Sequence, residues 1–323
     1  MIDRAHFGRR AAAAREKLGL SQTRLAERLD VTPQAVSKWE RGLSLPTVET
    51  LLRLSRLAGI TVNDLLEEPD PIKALTGQSP LSDGVHLFVP EKERPEFAAW
   101  AMEMAREGWV RANWRKAGER GKPWSRYGEL IAGHGGLILE IGVGPAGGFM
   151  PFVLRADPDA RIIVSDLSPT VVREWKAFLG GRPYSNLCFA AMDFTALPLP
   201  EGCIDVVSDC GGIDNTVGSR RDAFREAYRV LKPGGIFVTT ALFVSPDAEE
   251  DLPPAVRRNL REQAPCLFED PYGMTASAGF RRIDSELMEE RETDGEDSGF
   301  ADLCRSLGVN LRISRCARIC RKD

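Results

Sequence analysis

The stretch "LILEIGVGPAGGFMP", residues 137–151, decides the fold of the larger part of this chain. Apolar residues on both sides of Glu140 predict a buried parallel strand, and glycines follow at positions 142, 144 and 147. Such G-x-G-x-x-G spacing between a strand and a helix is the fingerprint of a loop that approaches a nucleotide closely. We therefore expect an α/β domain with a nucleotide-type ligand at this loop.

The segment that follows keeps two ligand classes open. A second strand is predicted in "ARIIVSDLSP" and ends at Asp166, where an acidic side chain accepts hydrogen bonds from ribose hydroxyls. Nicotinamide dinucleotides and S-adenosylmethionine both contain that ribose. The loop and Asp166 alone therefore do not choose between them.

Two further acidic positions favour S-adenosylmethionine. Glu140 stands two residues before the first glycine, where a carboxylate suits an ammonium group and would repel a pyrophosphate. A third strand, predicted from "NLCFAAMDF", ends at Asp193 with Phe194 beside it. We expect this carboxylate to accept the adenine amino hydrogens while the aromatic ring packs on the base.

Four segments in register carry a family resemblance. "LEIGVGPAGG", "SDLSP", "MDFTALPLPEGCIDVV" and "AYRVLKPGGIF" resemble class I S-adenosylmethionine-dependent methyltransferases, most of all the small-molecule group that includes quinone-biosynthesis enzymes. The resemblance is strong over about residues 125–245 and weak over 245–323. It implies a Rossmann-like α/β domain with a mostly parallel seven-stranded sheet. The tail "LRISRCARICRKD" suits its reversed last strand.

The same resemblance implies a set of site residues. Glu140, Gly142 and Gly144 would line the methionine and ribose, Asp166 with Leu167 beside it would hold the ribose, and Asp193 and Phe194 the adenine. Asp209 and Cys210, at the end of the fourth strand, would face the donor and the acceptor and are the candidate catalytic residues. For Asp209, a solvated strand end without a ligand contact is the alternative.

The acceptor is predicted to be a small molecule. The fourth strand ends "SDCGGIDN", without the D/N-P-P-[YFW] motif of enzymes that methylate the amino groups of flipped DNA bases. Enzymes that methylate cytosine C5 use a Pro-Cys nucleophile, and no proline precedes Cys210. The spacing of Cys188, Cys203 and Cys210 does not match arsenite methyltransferases. A lid over residues 97–127 offers Trp100, Met104 and Trp114 for an apolar acceptor pocket, with plain packing as the alternative.

A separate helical pattern occupies residues 1–68, with Ser21 and Thr32 as helix caps. Its string "LSQTRLAERLDVTPQAVSKWERGLSLPTVETLLRLSRLAGI" resembles the Cro-like helix-turn-helix of phage repressors over about residues 10–66. The resemblance implies that Gln22 contacts a phosphate and that four residues face double-stranded DNA. They are Thr32, Gln34, Ser37 and Lys38. Such modules bind as dimers to paired half-sites, so we expect a homodimer; protein binding by this scaffold is the alternative.

The positions of prolines and the overall composition indicate the domain boundaries and the broad class of protein. Five prolines mark residues 69–96 as a linker, and residues 97–323 then form the methyltransferase domain with a helical lead-in over 97–136. Residues 1–56 hold eleven Lys/Arg against six Asp/Glu, and this excess of positive charge favours binding to a polyanion. Seven scattered cysteines without C-x-x-C and three distant histidines indicate no metal site. Without an apolar run of about 18 residues or a signal-peptide core, a cytoplasmic, non-membrane protein is expected.

The leading hypothesis joins these predictions. A DNA-binding transcription regulator is fused to a methyltransferase that uses S-adenosylmethionine and acts on a small molecule. The alternative is a regulator whose second domain senses S-adenosylmethionine or a metabolite and transfers nothing. Intact donor motifs are expected in both cases, so the sequence does not separate the two.

Overall fold

The chain forms two compact units, residues 1–74 and 75–323. The computed structural model describes residues 4–66, 70–78, 80–92, 94–95, 108–180, 182, 184, 186–215, 219–269, 271–295 and 299–323. Each unit has its own core of buried apolar side chains. Within the described ranges, no helix combines the length and the apolar character needed to cross a membrane.

The first unit is built from short helices, as the sequence predicts. They are α1 (Arg4–Lys17), α2 (Gln22–Leu29), α3 (Pro33–Glu40), α4 (Val48–Ala58), α5 (Val62–Leu66) and the start of α6 (Pro71–Thr76). The predicted caps are present: the Ser21 and Thr32 side chains accept hydrogen bonds from backbone N–H groups three residues on. Asp30, in the left-handed conformation with φ of 57°, ends α2 and turns the chain into α3.

The second unit holds a sheet and its surrounding helices. Its strands are β1 (Leu81–Ser82), β2 (Val85–Leu87), β3 (Leu137–Ile141), β4 (Arg161–Asp166), β5 (Leu187–Ala191), β6 (Ile204–Cys210), β7 (Leu231–Val244), β8 (Arg281–Glu292) and β9 (Arg312–Arg321). Its helices are α7 (Trp109–Glu119), α8 (Lys122–His134), α9 (Met150–Ala156), α10 (Pro169–Leu179), α11 (Arg220–Val230), α12 (Pro246–Glu250), α13 (Pro254–Gln263), α14 (Pro271–Ser277) and α15 (Gly299–Ser306).

The sheet has nine strands in the order β1-β2-β5-β4-β3-β6-β7-β9-β8, so the prediction of seven strands was wrong. Five neighbouring pairs, from β2 to β7, run parallel. The pairs that involve β1 or β9 run antiparallel, which confirms the reversed last strand. The sheet is therefore mixed, with a parallel centre.

The two additional strands come from the segment that the sequence assigns to a linker. There β1 and β2 form a small antiparallel ladder, and β2 pairs parallel with β5 through His86↔Ala190. Because the backbone of β5 offers a free edge, a three-residue strand is enough to extend the sheet. The linker prediction of little regular structure was wrong for these residues, while the predicted domain boundaries remain a prediction.

The buried centre of the sheet positions the site. Strand β3 is buried along its whole length, as is β4 except for its first residue. Apolar side chains of β3, β4 and β6 share one cluster with Ile131 of α8, Phe152 of α9 and Trp175 of α10. A fully buried parallel strand must satisfy its backbone groups in the sheet, so the polar chemistry is left to the strand ends.

Candidate functional site

Four parallel strands end at one edge of the sheet. In the order β5-β4-β3-β6, the register aligns Asp166 with Ala191, Glu140 with Val164, and Ile141 with Asp209. The predicted acidic positions therefore lie along a single edge, on neighbouring strands. Open α/β sheets bind ligands at this edge, where the strand order reverses.

The glycine loop leads from β3 into α9 and leaves one side of its backbone open. Gly142 and Gly144 have φ angles of 57° and 50°, which side chains rarely adopt. A Cβ on Gly142 would lie 2.8 Å from the Cα of Gly212, so the loop packs tightly on the turn after β6. A Cβ on Gly144 would meet only the Gly142 oxygen, at 3.8 Å. The loop is thus supported on one side and accessible on the other.

Trp175 supports the loop from α10, a role that the sequence pattern did not reveal. Its Nε1 donates a hydrogen bond of 2.7 Å to the Gly144 oxygen. The indole is fully buried. A buried donor with one strong acceptor holds the loop in place. The only sequence signal for this role is a tryptophan, with its indole N–H, at an apolar position of α10.

Glu140 lies inside the unit, with 0% of its surface exposed. One oxygen accepts a 2.8 Å bond from the Phe149 N–H, and the other meets the Ser208 hydroxyl. Burial raises the pKa of Glu140 to about 8. The carboxyl thereby ties the loop's far end to β6, and its predicted contact with a ligand ammonium stays a prediction.

Asp166 ends β4 beside the loop and is 8% exposed. Its Oδ2 accepts a 2.9 Å bond from the Gly144 N–H, and its Oδ1 accepts one from the Ser168 N–H at the same distance. These two bonds fix the carboxylate beside the open glycine loop. Leu167, buried, follows directly. The predicted ribose partner therefore lies at the open loop, and its contact with a ribose stays a prediction.

Asp193 and Phe194 lie just beyond β5, which ends two residues earlier than predicted. The Oδ1 of Asp193 accepts bonds from both the N–H and the hydroxyl of Thr195, at 2.9 and 2.6 Å. Its Oδ2 lies 3.5 Å from Arg94 Nη2. The ring of Phe194 is buried near Gly142. The structure thus brings the predicted adenine partners next to the loop.

Asp209 is 1% exposed and points into the chain. It accepts bonds from the Thr239 hydroxyl at 2.7 Å and from the Ile213 N–H at 3.0 Å, and burial raises its pKa to about 7. Cys210 is half-buried, and burial raises the pKa of its thiol to about 11, so it stays protonated at neutral pH. Asp209 thus holds the turn after β6 in shape, whereas Cys210 faces open space.

A cavity of about 1170 Å³ begins at that turn. Cys210 and Gly211 line it, and the next residue, Gly212, packs on the glycine loop, so the cavity adjoins the loop. Pockets for drug-sized ligands measure about 300–1000 Å³, so this one has room for an organic molecule. The edge of the sheet therefore offers two adjoining sites, the loop with its carboxylates and the cavity.

The first unit presents a polar face on α3. Thr32, Gln34 and Lys38 are exposed and Ser37 is half-buried, whereas Val36 and Trp39 are buried in the core. This is the division of faces that the sequence predicts for a recognition helix.

Gln22 has a partner that the sequence did not indicate. Its amide Nε2 donates a 2.7 Å bond to Glu40, which also pairs with Arg15 at 2.6 Å. This network ties α1, α2 and α3 together. The predicted phosphate contact of Gln22 remains a prediction.

Family models match both units. A helix-turn-helix model matches residues 12–65, and a methyltransferase domain model matches residues 139–239, which span the glycine loop and the following strand ends. The chain is a helix-turn-helix domain fused to a methyltransferase domain.

Curated relatives match the methyltransferase domain. A ubiquinone/menaquinone biosynthesis C-methyltransferase of Stutzerimonas stutzeri is 27% identical over 169 residues, 51% of this chain and 65% of that protein. Its counterpart from Methylobacterium nodulans is 35% identical over 97 residues, 29% of this chain and 38% of the relative. Both matches therefore fall short of two thirds of the relative's length. A geranyl diphosphate C-methyltransferase of Streptomyces coelicolor A3(2) overlaps with a TM-score of 0.44 at 14% identity, covering 62% of this chain and 77% of that one.

The predicted lid of the methyltransferase domain is in part a packing feature. Trp100 and Met104 lie outside the described residues. Trp114 packs on Trp175, with ring centroids 6.3 Å apart, and does not line the cavity. Trp124 stacks on Phe152, with centroids 5.7 Å apart. Trp114 on α7 thus packs against α10, as the packing alternative expects, and its role in an acceptor pocket stays a prediction.

Proposed function

We propose that this chain is a cytoplasmic transcription regulator whose methyltransferase domain transfers a methyl group from S-adenosylmethionine to a small molecule. One observation carries the proposal. A supported, open glycine loop flanked by Asp166 and Asp193 adjoins a cavity at the end of β6. A donor site and an acceptor site side by side are what group transfer between two molecules requires.

The residues at the loop fit the proposed methyl donor. Asp166 lies at the open loop, where a carboxylate suits ribose hydroxyls, and Asp193 can accept adenine amino hydrogens beside the Phe194 ring. The glycines leave the backbone free of side chains on the open side. When bound, S-adenosylmethionine supplies an electrophilic methyl group. The chain's own part is to fix the donor and exclude water, since Cys210 is protonated at neutral pH and Asp209 is occupied by internal bonds.

The acceptor is proposed to sit in the cavity. The relatives that match this domain are named as C-methyltransferases of quinone biosynthesis, which supports a small organic acceptor. Holding the acceptor atom and the methyl group in line supplies much of the rate in such a transfer. A dedicated catalytic base is therefore not required.

Turnover tests this half of the proposal directly. The purified full chain with radiolabelled S-adenosylmethionine is expected to form S-adenosylhomocysteine faster when a small-molecule extract of the source cells is added. Extract without the protein and protein without extract serve as controls. If no component of the extract becomes labelled above the level of these controls, methyl transfer to a small molecule is contradicted.

The first domain is proposed to bind double-stranded DNA as a homodimer. Exposed Gln34 and Lys38 suit adenine and guanine edges in the major groove, and one recognition helix alone makes too few base contacts. Binding to DNA from upstream of its own gene is then expected to weaken steeply with salt, because phosphate contacts release counterions.

Lys38→Ala is expected to lower the affinity for that DNA about tenfold and to relax its sequence preference, as loss of one base contact does. Lys17→Ala removes the same charge from the exposed end of α1 and is the matched control. Fluorescence anisotropy at several salt concentrations measures both. Equal losses in the two variants, or binding that does not change with salt, would refute recognition by α3.

A further inference from the structure

We propose that the small molecule held in the cavity is an amphipathic anion, with a carboxylate or phosphate group on an apolar body. The proposal deepens the methyl transfer proposed above and rests on it for the role of this ligand as the acceptor. It is carried by the arginines that line the cavity and by the apolar side chains between them.

Arg315 is the central group. Side chains two residues apart on a strand share one face, and both Ile313 and Arg315 of β9 line the cavity. The arginine side chain is only 14% exposed. Its Nε donates to Glu289 at 2.8 Å and its Nη1 to the Thr240 hydroxyl at 3.3 Å. In the described part of the chain, no hydrogen bond occupies Nη2. The guanidinium is thus held rigidly with one donor group remaining.

The cavity holds more positive than negative side chains. Its lining residues include four arginines, Arg220, Arg221, Arg291 and Arg315, and two carboxylates, Asp214 and Glu269. Arg220 is fixed by both acids, at 2.7 Å each. Glu289, which does not line the cavity, contacts Arg315 and lies 3.7 Å from Arg291. A cationic ligand would meet like charge here, whereas an oxyanion gains charge-assisted hydrogen bonds.

Apolar side chains supply the remainder of the surface. Leu242 and Leu267 line the cavity together with Met274 and Phe300. A ligand without an apolar part would leave these side chains without a packing partner. A ligand without an anionic group would leave the Arg315 donor without a charged acceptor. An apolar body with one oxyanion satisfies both.

Binding of small probes tests the charge requirement. Calorimetry with the full chain compares benzoate, phenyl phosphate and the neutral isostere benzamide, each with and without S-adenosylhomocysteine. Benzoate or phenyl phosphate is expected to bind about tenfold or more tightly than benzamide, the size of one charge-assisted hydrogen bond. The anion that binds more tightly shows whether the oxyanion of the ligand is a carboxylate or a phosphate.

Arginine variants locate the binding site. Arg315→Met is expected to bring the anions to within about threefold of benzamide, and Arg221→Gln, whose side chain is exposed, to weaken the preference without a folding risk. Arg225→Gln removes an exposed charge from the same helix as Arg221 but does not line the cavity, and it should leave the preference intact.

The outcomes separate this inference from the proposed function. Equal binding of benzoate, phenyl phosphate and benzamide would overturn the anionic ligand while binding of S-adenosylhomocysteine still supports the donor site. An anion preference that survives in both Arg315→Met and Arg221→Gln would overturn its placement in the cavity. Anion binding that depends on Arg315 in a chain unable to bind S-adenosylhomocysteine would support the site and contradict the donor assignment.

Discussion

Asp166→Ala is expected to weaken binding of S-adenosylhomocysteine about a hundredfold. Hydrogen bonds to a charged group contribute about 1.5–3 kcal/mol each, and a tenfold change in affinity corresponds to about 1.4 kcal/mol. Two ribose hydroxyls donating to this carboxylate therefore account for the loss. Asp166 also accepts the Gly144 N–H, so its removal loosens the loop that approaches the ligand. Calorimetry with the full chain measures the change.

Two companion variants show whether the effect comes from the carboxylate itself. Asp166→Asn keeps the shape and one acceptor oxygen, and should lose about tenfold. Asp159→Ala removes an exposed carboxylate from the turn that precedes the same strand, far from the strand's carboxyl end, and should bind normally. Unchanged affinity in Asp166→Ala would refute the site at this loop. An equal loss in Asp159→Ala would assign the effect to net charge.

Local patterns were sufficient to predict the elements that position the site. The run "LILEI" and the segment ending at Asp166 predict strands because their apolar residues suit a sheet buried on both faces, and both strands are present. The caps at Ser21 and Thr32 were predictable for a similar reason. Each cap needs only a side-chain oxygen and an N–H three residues away. Interactions of such short range can be read directly from the sequence.

Side-chain direction at the strand ends was not predictable, since it depends on residues far along the chain. Glu140 turns inward because Ser208, 68 residues later, meets it in the core. Asp209 is held by Thr239, which is 30 residues away. The cavity needs Arg315 from the last strand beside Cys210 from the sixth. A pattern of acids at strand ends locates such groups but does not show which of them face a ligand.

The short strands β1 and β2 were not predictable either, because local sequence does not determine their conformation. Two or three residues among prolines and glycines give no detectable periodicity, and their strand state depends on the edge of β5. Tertiary context, not local preference, extended the sheet from seven strands to nine.

Gly148→Ala is expected to destabilise the methyltransferase domain by about 3 kcal/mol. Gly148 has a φ of 58°, which costs an alanine about 1–2 kcal/mol. An added Cβ would also overlap the buried Glu140 carboxyl, and overpacking of this kind costs about 1–3 kcal/mol. Urea unfolding followed by tryptophan fluorescence reports on this domain, because Trp39 is the only one of the six tryptophans in the first unit.

Gly133→Ala separates the overlap with Glu140 from the simple gain of a methyl group. A Cβ at Gly133, in the last turn of α8, would have no heavy atom within 4 Å, and its φ is not positive. Alanine there should be neutral or stabilise the helix by up to about 1 kcal/mol. If Gly148→Ala were as stable as Gly133→Ala, the loop would have to yield without loss, and the Glu140 bonds to Phe149 and Ser208 would not be what holds it. A destabilised Gly148→Ala that also loses S-adenosylhomocysteine affinity would show that the buried carboxyl acts on the ligand through the shape of the loop.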